Sequence, residues 1–148
     1  MGLDISPADR WDEEGNTLLL PDAPTAHWSY GGFHRFRKML ASEEGFALET
    51  MAGFTDLMAD DGGSGRAWDT VATTLKPLLN HSDWDGELTP DECMAILPRL
   101  KEIRVTWASS AARDGGDDVP GRWDVKHLDD LIDVVTYCAA TDRNVDFH

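Results

Sequence analysis

The chain is short of cysteine, of basic residues and of long apolar runs. Its two cysteines, Cys93 and Cys138, stand far apart in 148 residues. No CxxC occurs, so neither a zinc knuckle nor a thioredoxin-type redox site is signalled. Both lie in apolar stretches (DECMAIL and VVTYCAA), where a free cysteine behaves as a small core hydrophobe. Lys and Arg number 13 against 28 Asp and Glu, a formal net charge of −15. That balance argues against a nucleic-acid binder, which needs clustered cations to release phosphate counterions. It argues equally against docking on an anionic membrane surface. No apolar run approaches the roughly 20 residues that span a bilayer. The first residues, MGLDISPADRWDEEG, are acidic and polar and lack the apolar core of a signal peptide. The expected location is the cytoplasm, with cations, basic proteins or neutral surfaces as partners.

The length suits one domain with a real core. Residues 1–26 read as an extended N-terminal arm, rich in Asp, Glu and Pro, with room for one short strand near Leu18–Leu20. Residues 27–148 read as a single helical domain. Phe33, Phe36, Met39 and Leu40 recur at helical spacing over Gly31–Glu44, and Gly45 stops that helix. A short helix is expected over Ala47–Met51 and a longer one over Ala67–Asn80, its last turn distorted by Pro77. Pro90 suits the first position of a helix carrying Cys93, Ile96, Leu97, Leu100, Ile103 and Trp107, which Pro98 should kink or split. The last helix spans about Trp123–Ala140. No segment shows sustained period-2 alternation. The expectation is an all-α domain of four to six helices.

One motif carries chemistry. The segment HSDWDGELTPDE, His81 to Glu92, resembles an EF-hand calcium loop. Asp83 and Asp85 fall at loop positions 3 and 5, Gly86 at 6, Glu87 at 7, Leu88 at 8, Thr89 at 9 and Glu92 at 12. Calcium takes about six to eight hard oxygens. Two short carboxylates two residues apart point inward from a tightly curved backbone, and the glycine permits the turn. The resemblance implies a central helix–loop–helix with a metal set of Asp83, Asp85, the Glu87 carbonyl, Thr89 and the bidentate Glu92. Leu88 would anchor the loop to the core.

Two departures weaken the match. His81 stands at position 1, where an acid is expected, and Pro77 disturbs the entering helix. The family also pairs its loops. Asp60–Val71 and Asp114–Val125 are candidate decayed partners, and both lack the closing acid at position 12. The implied calcium affinity is weak, on the order of 10⁻⁴–10⁻³ M. The same residues also read as a metal-free interhelical turn: Asp85-Gly86 turns the chain, Thr89 caps, and Asp91 and Glu92 sit at the positive end of a helix. HWSYGGFHRFRKMLA, LETMAGF, the loop itself and PRLKEI together resemble a group of small actinobacterial proteins, a resemblance that implies no particular activity.

Other signals are thinner. His27 and His34 flank WSYGGF, and no neighbouring acid or cysteine completes a ligand set with them. GGSG at 62–65 lacks the lysine of a phosphate loop and follows two acids. Nothing positions a Ser/His/Asp triad. Of six tryptophans, Trp68 and Trp107 fall on apolar faces. Arg35, Arg37 and Lys38 read as a solvated helix face paired with the chain's own acids. The function expected from these residues is a non-enzymatic protein with a weak or relic calcium loop. The alternative is an acidic module that binds a basic protein, as an inhibitor or immunity-type partner does.

Overall fold

The computed structural model describes residues 2–7, 10–11, 17–18, 23–29, 31–51, 67–80, 86–111 and 122–148. It corrects the all-α expectation. Among these residues, helices pack on a four-stranded antiparallel sheet, so the fold is mixed α/β. The strands are β1 (Gly2–Pro7), β4 (Ala26–Ser29), β5 (Gly86–Leu88) and β6 (Val145–Phe147), in the order β4-β1-β6-β5. Two further strands, β2 (Arg10–Trp11) and β3 (Thr17–Leu18), pair with each other.

Each strand does alternate, but too briefly to be read as a period. Leu3 and Ile5 on β1, Ala26 and Trp28 on β4, Leu88 on β5, and Val145 and Phe147 on β6 are buried. Asp4, His27, Glu87 and His148 face the other way and are exposed. One to three repeats do not outweigh the helical pattern of longer neighbouring segments. The residues read as the start of an arm thus supply a strand between β4 and β6, with Ile5 fully buried.

Helix α1 (Gly32–Glu43) falls within a residue of its expected ends. Gly45 adopts φ 86° just after the helix, a left-handed conformation that glycine takes without strain. Phe46 N–H then donates to the Ala41 carbonyl (3.1 Å) and Gly45 N–H to Ser42 (3.1 Å), the paired bonds of a Schellman stop. Phe46 follows into the core.

The expected helix over 67–80 is mostly absent. A 3₁₀ turn covers Trp68–Thr70, and α2 is one turn, Lys76–Leu79. Thr73 Oγ1 accepts the Leu75 N–H at 3.0 Å, a local bond that competes with helix formation. Pro77 lies in the first turn of α2, the part of a helix that tolerates proline.

Helix α3 (Pro90–Ala111) runs unbroken through Pro98. Pro98 deprives the Met94 carbonyl of its usual donor, and both residues are on the exposed side, so the loss is not buried. The buried stripe Cys93, Ile96, Leu100, Ile103 and Trp107 follows the helical period. Helix α4 (Arg122–Thr141) packs along α3 on one side and on β1, β4 and β6 on the other. Two covered faces explain why it buries Leu128, Leu131, Val134, Val135 and Cys138 together. Arg104 on α3 grips Asp129 on α4.

Trp28 and Trp107 lie in the core, with Phe36 between them at 5.1 and 5.8 Å, while Trp123 is exposed. Trp107 Nε1 also donates to Glu43 at 3.0 Å. No helix among the described residues is long and apolar enough to cross a membrane.

Candidate functional site

The second half of the suspected loop is described, and it is built on the sheet. Gly86, Glu87 and Leu88 form β5, pairing with Phe147, Asp146 and Val145 of β6. Leu88 is buried, as expected of the residue at position 8. Asp4 and His148 exchange both backbone bonds between β1 and β6, at 2.8 and 2.9 Å. Backbone polar groups on a central strand alternate sides, so Asp146 also faces β1. Phe147 and Val145 then bond to Gly86 and Leu88. By the same parity the Glu87 carbonyl points away from β6. The Glu87 carboxylate is held elsewhere, accepting from Asn144 Nδ2 at 2.8 Å.

Helix α3 begins at Pro90 and is capped by its own loop. Glu92 N–H donates to Thr89 Oγ1 (3.2 Å), and Thr89 N–H donates to Glu92 Oε1 (2.9 Å). This is a reciprocal capping box. Both side chains expected to ligate metal therefore have a helix-starting task in the metal-free protein. Asp83, Asp85 and His81 lie outside the described residues, as do 60–66 and 114–121 of the suspected partner loops. The strand that pairs with β5 is β6, not a second loop. Among the described residues, no three or more His, Cys, Asp and Glu side chains converge into a ligand set.

The basic residues of α1 separate. Arg35 pairs with Asp124 of α4 at 2.8 Å and Lys38 with Glu49, as expected of a face that meets the chain's own acids. Arg37 instead is buried, 4.8 Å above the ring of Phe33. Desolvation pulls its pKa down to about 10. Burial pushes the Cys93 and Cys138 thiols up to about 12 and 11, so neither is a poised nucleophile.

A different cluster lies on the outward face of the sheet. Asp4 stands between His27 on β4 and His148 next to β6. His27 Nδ1 is 2.7 Å from Asp4 Oδ1, and His148 Nε2 is 3.0 Å from Ser6 Oγ. Ser6, Asp146 and Glu87 form the next row. The short alternating stretches LDIS, AHWS and VDFH place these residues on one face, but strand register across more than a hundred residues cannot be read from them.

Compared with known proteins, the chain matches no family model, no curated protein and no solved structure.

Proposed function

We propose that the protein is a non-enzymatic, cytoplasmic calcium-responsive protein whose loop, residues 81–92, binds the ion weakly. The observation that carries this reading is the placement of β5. Residues 86–88, loop positions 6–8, form a strand with Leu88 buried and the Glu87 carbonyl turned away from β6. The exit helix starts on the residue after Thr89, with Glu92 in its first turn. Asp83 and Asp85, which precede β5 in the chain, would supply the remaining carboxylates. Against tight binding stand His81 at position 1, the one-turn α2 before the loop, and the capping bond that Glu92 must give up. Two buried free thiols fit a reducing compartment.

A thermal melt in calcium against chelator tests it. Calcium at ten times Kd stabilises by RT ln 11, about 1.4 kcal/mol, which is a few degrees for a chain of this size. Glu92→Gln should abolish that shift. His81→Asp should tighten binding by about tenfold. No shift at millimolar calcium in the wild type, together with none in His81→Asp, would refute the reading.

The net charge of −15 favours the second reading, an acidic module that associates with a basic protein. Electrostatic steering would make its association rate fall steeply with added salt. An association rate that ignores ionic strength would count against it.

A further inference from the structure

Trp123, in the first turn of α4, is the most exposed large apolar side chain among the described residues, at 73%. A single apolar residue at a surface needs no special account. What sets this one apart is how it is held and what surrounds it. His127, one turn on, donates its Nδ1–H to the Trp123 carbonyl at 2.8 Å. Its imidazole lies 5.9 Å from the Trp123 indole, inclined by 31°. The same imidazole is stacked at 5.2 Å on Trp28 of β4, which is buried. The three rings form a ladder from the core to the surface. An indole backed in this way has less freedom to lose when a partner covers it.

The setting is acidic. From Asp114 to Asp133 the chain carries seven aspartates against Arg122 and Lys126. Arg35 and Arg104 reach Asp124 and Asp129 from α1 and α3, and acids still outnumber bases seven to four.

We propose that Trp123 anchors a docking surface for a basic protein segment, with an arginine side chain stacked on its indole. The inference rests on the reading of the chain as an acidic partner of a basic protein, and it locates the contact. Tryptophan is the best aromatic ring for a cation, and arginine the cation that most often lies on one. A guanidinium stacks flat on the ring and keeps its N–H donors free at the edge for carboxylates. The surplus of aspartates favours a cationic occupant over an apolar or acidic one. A rigid aromatic anchor then supplies affinity, while the charge around it speeds association.

The probe is a labelled nona-arginine peptide, with nona-lysine of equal charge as its comparison, titrated against the full chain at low salt and read by fluorescence anisotropy. The wild type should bind both, the arginine peptide about two- to fivefold more tightly. Trp123→Leu keeps an apolar side chain but removes the ring, and should abolish that preference while sparing nona-lysine. Trp123→Phe should retain part of it. Val105→Ala, at an exposed apolar residue of α3, should change neither affinity. In NMR spectra the Trp123 indole N–H signal, assigned by its loss in Trp123→Leu, should move as nona-arginine is added. Because Trp123 is exposed the variants should fold, and equal melting temperatures check this. Salt-dependent binding with an arginine preference that Trp123→Leu leaves intact overturns the proposal and spares the acidic-partner reading. No binding of either peptide at low salt overturns both. A Trp123 signal that moves with protein concentration alone assigns the surface to a second copy of the chain and also overturns the proposal.

Discussion

Phe147→Ala should be among the most damaging single changes in this protein. Phe147 is 1% exposed, and its ring lies 5.9 Å from that of Phe33 on α1. Its backbone is opposite Ile5 on one side and Gly86 on the other. Truncating a buried phenylalanine costs about 3–5 kcal/mol through lost transfer energy and the cavity left behind. The lost aromatic pair lies within that range. At about 2–4 °C per kcal/mol for a chain this long, the midpoint should fall by roughly 6–20 °C. The control is Asp146→Asn, one residue away on the outward face, expected to stay within about 0.5 kcal/mol. Circular dichroism melts of the two variants and the wild type make the comparison. Because β5 has β6 as its sheet neighbour, Phe147→Ala should also weaken any calcium response of the loop. A shift under about 3 °C for Phe147→Ala, or equal shifts for the two variants, would refute the placement of β6 at the centre of the sheet.

Two other outcomes follow from buried polar contacts. Glu44, mostly buried, accepts from Arg99 Nε at 3.0 Å and from Thr73 Oγ1 at 3.0 Å, tying α1 to α3 and to the segment before α2. Glu44→Ala strands both donors and should cost about 1–3 kcal/mol by urea unfolding, whereas a loss below about 0.5 kcal/mol would show those contacts to be dispensable. The thiols of Cys93 and Cys138, pushed up to about 12 and 11 by burial, should label with a disulfide reagent at pH 8 at least about a hundredfold more slowly in the native than in the urea-unfolded protein. The native rate should rise with pH beyond 8.5, where the unfolded rate levels off; rapid labelling of either thiol in the native protein would contradict its burial.

The long amphipathic stripes were legible. Phe33, Phe36 and Leu40 marked α1, and Leu128, Leu131 and Val135 marked α4, each to within a residue or two at its ends. Pro98 misled because its position on the exposed side of α3 is a property of packing and not of local sequence. The sheet was hidden for another reason. Pairs such as Leu3/Ile5 and Val145/Phe147 alternate over too few residues to stand out, and the partners that make them strands are distant in the chain. The loop was legible where local rules govern it, in Leu88 as anchor and in Thr89 with Glu92 as a cap. The row of His27, Asp4 and His148 was not, because it exists only once register is fixed. The acid that meets His27 is Asp4, across a strand and 23 residues away, not one adjacent in sequence.

The position of β6 also sets an order of events during synthesis. Ser6 and His148, which meet on neighbouring strands, are 142 residues apart. The β1–β4 ribbon closes over a far shorter distance, within the first 29 residues made. β1 lacks its second neighbour, and β5 its β6 neighbour, until Val145–Phe147 has cleared the ribosome. Such long-range pairing is slow to form. Until then the nascent chain presents open strand edges beside Ile5 and Leu88, surfaces that invite pairing with other chains. The net charge of −15 works against such pairing, because like-charged copies repel one another.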